Sequence, residues 1–196
     1  MNTFPLNLRL YFLFFMMLMI AAILAASDNT GITSLSVSCA VDLTITNNSI
    51  IFSSGYLNGT GSCFNQPGIV YSDGTAAECM LNSSGGVYLS INQKQIIENN
   101  GTSTLNLNIT IGEDAGIFFC GAANGCLSSN NAKIETKVIQ SEVGSCPGGG
   151  IGSAWTQLAN ENSSSELVLC NEFLSSNSND ELGIYFKLTI PEDAVD

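Results

Sequence analysis

The sequence predicts an all-β protein. Its apolar stretches are short, and they are separated by Asn, Gly, Ser and Asp residues that favour turns. Residues 104–111, TLNLNITI, alternate apolar and polar side chains, a pattern that gives a strand one buried and one solvated face. After residue 26, no window of 11 or more residues repeats apolar side chains with the 3.6-residue period of a helix. We therefore expect short strands joined by turns.

Residues 1–26 have the composition of a secretory signal peptide. One Arg precedes 17 uncharged residues (10–26), and small residues end the run. This pattern predicts cleavage near Ala26 or Ser27 and delivery to an oxidising compartment. An uncleaved signal anchor is the alternative, because 17 apolar residues lie at the lower edge of the length that spans a bilayer.

Cysteines and glycosylation sequons agree with export. All seven cysteines lie beyond the signal segment, where disulfides are expected. Six Asn-x-Ser/Thr sequons predict a glycoprotein that is secreted or held at the extracellular face of the plasma membrane. The sequons begin at Asn47, Asn58, Asn82, Asn100, Asn108 and Asn162.

Strand candidates follow one another at regular spacing between residues 67 and 140, each bounded by turn residues such as Asp73-Gly74. Strands at such spacing indicate a sandwich or barrel. The candidates are GIVYS (68–72), TAAECML (75–81), VYLSI (87–91), TLNLNITI (104–111), IFFCGA (117–122) and AKIETKVI (132–139).

The residues from 105 to 120 resemble the E strand, the E–F turn and the F strand of an immunoglobulin-superfamily domain. An alternating strand is followed by EDAGIFFC, which is similar to the family pattern D-x-G-x-Y-x-C. The resemblance implies an immunoglobulin-like β-sandwich of the intermediate or constant-like set at residues 64–140. The matching positions are Asp114 and Gly116, which turn the chain, Phe118, which fills the corner, and Cys120, which points inward.

The resemblance also implies that Cys120 forms an inter-sheet disulfide with Cys79, 41 residues earlier. Departures from the family pattern imply a divergent domain, and no Arg follows the signal segment to pair with Asp114. Leu89 stands where a Trp usually packs on the disulfide, and Phe118 lacks the hydroxyl of the usual corner Tyr. A rival pairing of Cys39 with Cys120, 81 residues apart, stays open.

The remaining cysteines are placed around this predicted domain. The Asn/Ser-rich segment 27–63 is expected to be closed by a disulfide at its two cysteines, and a second disulfide is expected to staple the loop after the F strand. The expected pairs are Cys39 with Cys63 and Cys126 with Cys146, and Cys170 has no assigned partner.

A partial repeat predicts a second module. NITIGEDAG (108–116) recurs as KLTIPEDAV (187–195), so residues 141–196 are expected to form an incomplete second immunoglobulin-like domain. Cys146 would be its B-strand cysteine and Trp155 its core aromatic. The odd number of cysteines fits a missing partner. The alternatives are a chance repeat and a free cysteine that pairs between chains.

Composition excludes several classes of function. The net charge is −12, and the only basic residues after residue 26 are four lysines, which disfavours nucleic acid and anionic membrane surfaces as partners. The sequence contains no His, which excludes Ser-His-Asp and Cys-His catalysis and the usual zinc sites. The Gly-rich run 147–152 lacks the Lys of a phosphate loop and predicts a flexible linker. We expect no enzyme, no cofactor and no metal.

The resemblance implies non-catalytic extracellular recognition or adhesion, with a protein or glycan ligand and no catalytic residues. The loop at 123–131 is the first candidate for binding. A membrane would be contacted only through a signal anchor or a segment missing from this chain. The alternative function is a secreted structural or decoy-like glycoprotein, stapled by disulfides and without a receptor role. A secreted disulfide-stabilised enzyme is the third hypothesis.

Overall fold

The computed structural model describes residues 33–37, 42–121, 132–150, 152–158, 166–176 and 178–194. Within them the chain forms short strands, one short α-helix and a 3₁₀ turn at Gly61–Cys63. In order, the elements are β1 (Thr33–Val37), β2 (Leu43–Ile45), β3 (Gly55–Leu57), β4 (Gly68–Tyr71), β5 (Met80–Asn82), β6 (Gln95–Asn99), β7 (Leu105–Ile111), α1 (Ala115–Cys120), β8 (Lys133–Gln140), β9 (Thr156–Gln157), β10 (Leu167–Phe173) and β11 (Glu181–Ile190). The predicted all-β class is confirmed.

The larger sheet is organised around β11, the longest strand. One edge of β11 pairs with β8 over residues 182–189. Its other edge takes β6 at residues 181–184 and then β4 at residues 187–190, so β4 and β6 lie end to end. Strand β2 extends the sheet beyond β6, and β9 extends it beyond β8. All these pairings are antiparallel.

The smaller sheet has the order β1-β7-β10, with β7 at its centre. The predicted alternation of β7 is confirmed: its four aliphatic side chains are buried, whereas Asn106 between them is exposed. Because alternate residues of a strand project to opposite faces, one face of β7 enters the core. Buried residues of both sheets share this core: Leu105, Leu107, Ile109, Ile111, Leu169 and Phe173 from one sheet, and Ile97, Ile134, Val138, Leu182, Ile184 and Phe186 from the other.

Residues 115–120 form a helix, so the predicted F strand is wrong. The Asp114 carboxylate accepts a hydrogen bond from the Gly116 backbone N–H at 2.8 Å, which is the arrangement of a helix N-cap. Gly121 ends the helix in the left-handed conformation, with φ of 71°. Phe118 is 41 % exposed and fills no corner of the core. The EDAG segment therefore starts a helix instead of turning the chain into a strand.

Cys79 forms a disulfide with Cys63, so the predicted Cys79–Cys120 and Cys39–Cys63 disulfides are both wrong. Cys120 is itself disulfide-bonded, but not to Cys79. Of the predicted strand TAAECML, only Met80 and Leu81 lie in β5, and Cys79 before them leaves the extended conformation with a positive φ of 51°. The Cys63–Cys79 disulfide closes a loop of the chain that contains β4.

The prediction that Leu89 lies in the core is also wrong. It is 68 % exposed, and Val87 beside it is 81 % exposed, so VYLSI is not an inward-facing core strand. The buried residue of this segment is Tyr88, whose hydroxyl donates a hydrogen bond to the Ser53 carbonyl. The alternation is real, but its faces are reversed: the intervening aromatic residue is inside, and the two aliphatic residues are outside.

The core contains a disulfide that the sequence did not suggest. Cys146, in the turn after β8, is bonded to Cys170 in β10, so the predicted Cys126–Cys146 pair is wrong. The two half-cystines are 8 % and 0 % exposed and belong to the core. This disulfide ties the turn after β8 to the smaller sheet, and it does not join two strands as the resemblance implied for Cys79 and Cys120.

The Gly-rich run after Cys146 is part of the fold, not a linker. The Gly149 carbonyl accepts a hydrogen bond from the β10 residue Asn171, and the Gly152 carbonyl accepts one from the β8 residue Val138, both at 2.9 Å. A Cβ at Gly150 would lie 2.0 Å from the Leu169 carbonyl oxygen. Gly is therefore required here for close backbone approach.

Residues 64–140 and 141–196 are not separate modules. Strand β11 pairs with β4, β6 and β8, and β10 pairs with β7, so both predicted domains contribute to the same sheets. Residues 32–196 form one unit. The two copies of the Thr-Ile-x-Glu-Asp-Ala repeat end β7 and β11, which lie in different sheets. Only the first copy continues into a helix; the second forms a turn.

The signal segment 1–26, Cys39, Cys126, Asn162 and the loop at 123–131 lie outside the described residues. Among the residues that are described, no helix is long and apolar enough to cross a membrane.

Candidate functional site

The face of the larger sheet that points away from the core carries a cluster of aromatic and charged side chains. Across β4, β11 and β8, Tyr71 lies opposite Lys187, and Lys187 lies opposite Glu135. Directly paired residues project from the same face. We call this cluster the Trp155 patch; it consists of Tyr71, Asp73, Glu135, Lys137, Trp155, Tyr185 and Lys187.

Two ion pairs cross the patch. The Lys187 ammonium lies 2.5 Å from a Glu135 carboxylate oxygen, and the Lys137 ammonium contacts the Asp73 carboxylate. The four side chains are between 10 % and 18 % exposed, so they are more shielded from solvent than ordinary surface ion pairs. Such shielding strengthens the attraction within each pair, and it also raises the cost of breaking one.

Trp155, the only Trp in the sequence, lies close to both ammonium groups. The Lys137 nitrogen is 4.6 Å from the Trp155 ring centroid, and the Lys187 nitrogen is 6.0 Å from it. Both distances fall within the range of cation–π attraction. The Tyr71 ring contacts Trp155 at 5.9 Å between centroids, with a tilt of 54°. Trp155 is therefore a half-buried residue that contacts two lysines on the outer face of the sheet. It is not the core aromatic residue of a second immunoglobulin-like domain, as the sequence predicted.

Two groups of the patch, Tyr71 and Asp73, have pKa values shifted by their surroundings. Burial raises the pKa of the Tyr71 hydroxyl, and the hydrogen bond to Glu78 and the surrounding carboxylates raise it further, so Tyr71 remains a neutral donor. Its hydroxyl donates to a Glu78 oxygen at 2.7 Å. Burial alone would raise the pKa of Asp73, but hydrogen bonds from Lys137 and Thr75 outweigh it and hold that pKa below its usual value. Asp73 is thus a carboxylate at neutral pH.

The patch joins positions that are far apart in the sequence, and sequence reasoning did not single it out. The signal that points to it is the polar half of two alternating strands: Glu135 and Lys137 in KIETKVIQ, and Tyr185 and Lys187 in ELGIYFKLTI. A charged residue that alternates with buried aliphatics lies on the outer face. The alternation thus indicates that these side chains lie on the outer face of the sheet, but it does not indicate which side chains of other strands they contact.

The described sequon asparagines all lie at or near the surface, and they differ in how their side chains are used. Asn100 is exposed, and the others are half-buried. Asn58 accepts hydrogen bonds from the Thr60 backbone and hydroxyl of its own sequon, at 3.2 and 2.7 Å. The Asn108 amide donates to Glu166 at 2.7 Å, while its buried oxygen has no hydrogen-bond partner. Asn47 and Asn82 donate to the backbone carbonyls of Lys94 and Val87.

No family model, no curated protein and no solved structure matches this chain. Within the described part of the chain, no group of three or more His, Cys, Asp or Glu side chains could hold a metal ion. The carboxylates of the patch are bound to lysines, and the patch contains no hydroxyl or thiol of Ser, Thr or Cys that could act as a nucleophile.

Proposed function

We propose that this chain is a non-catalytic recognition glycoprotein, secreted or displayed at the cell surface, whose ligand contacts the Trp155 patch. The observation that carries this proposal is the concentration of Trp155, two tyrosines and two ion pairs on one solvent-facing side of the larger sheet. Trp and Tyr are the residues most enriched at the energetic centres of binding surfaces.

The location outside the cell is supported by two observations. The Cys63–Cys79 and Cys146–Cys170 disulfides are typical of proteins from an oxidising compartment, and the second of them lies in the core. The described sequons reach the surface of the fold, and the apolar run at residues 10–26 has the composition of a signal peptide.

Membership of the immunoglobulin superfamily stays a prediction. What supports it is the arrangement of two antiparallel sheets around one core, with a buried disulfide between β10 and the turn after β8. Its motif at 114–120 no longer supports it, because that segment is helical and Cys79 is bonded to Cys63. The proposal of recognition therefore depends on the patch and not on the family.

The proposal is tested with the secreted protein, labelled and displayed as a multimer, against panels of extracellular proteins and immobilised glycans. Multimers are needed because a shallow surface binds weakly in monovalent form. We expect binding that Trp155→Ala reduces by roughly tenfold or more. The matched control is Phe64→Ala, which removes an aromatic side chain that is 66 % exposed and lies outside the patch.

Equal loss of binding in the two variants would contradict the proposal, because it would indicate a nonspecific apolar effect. Absence of any ligand across both panels would favour the alternative of a secreted structural or decoy-like glycoprotein.

A further inference from the structure

We propose that the ligand of the Trp155 patch is a neutral glycan, which stacks a sugar ring on the exposed part of the aromatic cluster and hydrogen-bonds to the flanking ion pairs. This inference rests on the proposed function and names the class of ligand at the same site.

The charge balance of the patch favours a neutral ligand. Two ammonium groups face two carboxylates within it, and the carboxylate of Glu78 adjoins Tyr71. An anionic ligand would meet these carboxylates at close range. A cationic ligand would meet Lys137 and Lys187 at close range. A neutral ligand avoids both repulsions.

The chemistry of the same groups favours a ligand with many hydroxyls. A purely apolar ligand would remove water from shielded charged groups and return no hydrogen bonds, which costs free energy. A sugar hydroxyl both donates and accepts hydrogen bonds, so it can contact an ammonium and a carboxylate of one ion pair together. Each Lys ammonium has three N–H donors. Lys137 and Lys187 each contact one carboxylate, so further N–H donors can bind sugar hydroxyls.

The aromatic residues supply the other half of such a site. A sugar ring has an apolar face of C–H groups, which packs on the face of Trp or Tyr, whereas its edge carries the hydroxyls. Trp155, Tyr71 and Tyr185 are all half-buried, so each ring is anchored by the fold and keeps exposed area. The ion pairs lie beside the rings, with the Lys137 nitrogen 5.5 Å from the Tyr185 centroid. Rings and hydrogen-bonding groups are thus side by side.

The patch, as defined above, consists of seven side chains. A ligand of two or three sugar units would cover it. We therefore expect weak monovalent binding that multivalent display strengthens.

The experiment uses the intrinsic fluorescence of the secreted protein, excited where Trp absorbs and Tyr does not. Because Trp155 is the only Trp, any change in its emission reports on the patch. The probes are neutral oligosaccharides of glucose, galactose, mannose or N-acetylglucosamine, with sialylated and sulfated oligosaccharides as the comparison. We expect at least one neutral class to change the Trp emission in a saturable manner, and the acidic oligosaccharides to leave it unchanged.

Variants then assign the contact, with affinity measured on the glycan surface because Trp155→Ala has no Trp signal. Trp155→Ala should weaken binding roughly tenfold, since it removes the stacking surface. Lys187→Met keeps the aliphatic stem but not the donors, and should weaken it roughly threefold to tenfold. The matched control is Lys133→Ala, which removes an exposed lysine of the same strand as Lys137. It should bind like the unmodified protein.

Each other outcome overturns the inference in a distinguishable way. Binding of acidic glycans alone would show that the neutral class is wrong. A protein ligand that Trp155→Ala weakens, and that still binds after its glycans are removed, would overturn the glycan class and leave the proposed function intact. Glycan binding that neither patch variant weakens, in variants with unchanged urea midpoints, would overturn both.

Discussion

Removing the Cys63–Cys79 and Cys146–Cys170 disulfides in turn should separate the entropic contribution of a cross-link from its contribution to core packing. The variants are Cys63→Ala/Cys79→Ala and Cys146→Ala/Cys170→Ala. The two disulfides close loops of similar length, with sequence separations of 16 and 24 residues. The chain-entropy relation then assigns them similar losses, about 3.1 and 3.4 kcal/mol at 25 °C.

The surroundings of the two disulfides differ. Cys146 and Cys170 belong to the core, whereas Cys63 and Cys79 are only half-buried and lie outside it. Replacing two core sulfurs by hydrogens leaves space that the rigid sheets fill incompletely, at a cost of about 1 kcal/mol for each methyl-sized void. We therefore expect losses of roughly 3 kcal/mol for the outer disulfide and roughly 5 kcal/mol for the core disulfide.

The assay is equilibrium unfolding in urea, followed by far-ultraviolet circular dichroism and by Trp155 fluorescence, since coincident curves are needed for two-state analysis. A loss of 5 kcal/mol is comparable with the whole stability of many domains, so the core variant should be largely unfolded at 37 °C. An outer variant that loses as much free energy of unfolding as the core variant would refute the reasoning. Peptide mapping of the non-reduced protein should first recover Cys63–Cys79 and Cys146–Cys170 as pairs.

Three further predictions concern single residues. Burial raises the pKa of Asp180, and the hydrogen bond and negative charge of Glu142 raise it further, so the native state holds a proton there more tightly than the unfolded state. The stability that this protonated carboxyl contributes is present below the pKa of Asp180 in the unfolded chain, and it is lost as the pH rises through the pKa of Asp180 in the folded protein. The urea midpoint of the unmodified protein should therefore fall between pH 4.5 and pH 7.5, and Asp180→Asn should reduce this fall. Gly150→Ala should cost at least about 2 kcal/mol in urea unfolding, because its Cβ would collide with the Leu169 carbonyl. Asp114→Ala should cost about 1 kcal/mol in the same assay, since the α1 N-cap is lost.

Each of these has a control and a contrary outcome. Gly59→Ala is matched to Gly150→Ala, since nothing lies within 4 Å of a Cβ at Gly59, and it should leave the urea midpoint nearly unchanged. Asp114→Ser keeps a capping oxygen and should recover most of the loss. An unchanged pH profile in Asp180→Asn would show that this carboxyl is not protonated in the native state, and equal effects of the two Gly substitutions would contradict the close approach at Gly150.

The immunoglobulin-like motif illustrates how one short segment satisfies two local patterns. Asp114 and Gly116 fit a turn before a strand, and Asp114 followed six residues later by Cys120 and then Gly121 fits a short capped helix equally well. Six residues are too few for periodicity to separate the two. Packing decides: Ala115 and Cys120 are buried in the core, while Ile117 and Phe118 are more exposed.

The sequence by itself determined the all-β class and the inward and outward faces of the clearest strand, β7. Alternation fixes these faces because neighbouring side chains of a strand project to opposite sides. It does not say which strand lies beside which, and that depends on contacts between distant segments. The tertiary structure therefore decided the disulfide pairing, the union of residues 64–140 and 141–196 in shared sheets, and the meeting of Tyr71, Glu135, Trp155 and Lys187 on one face.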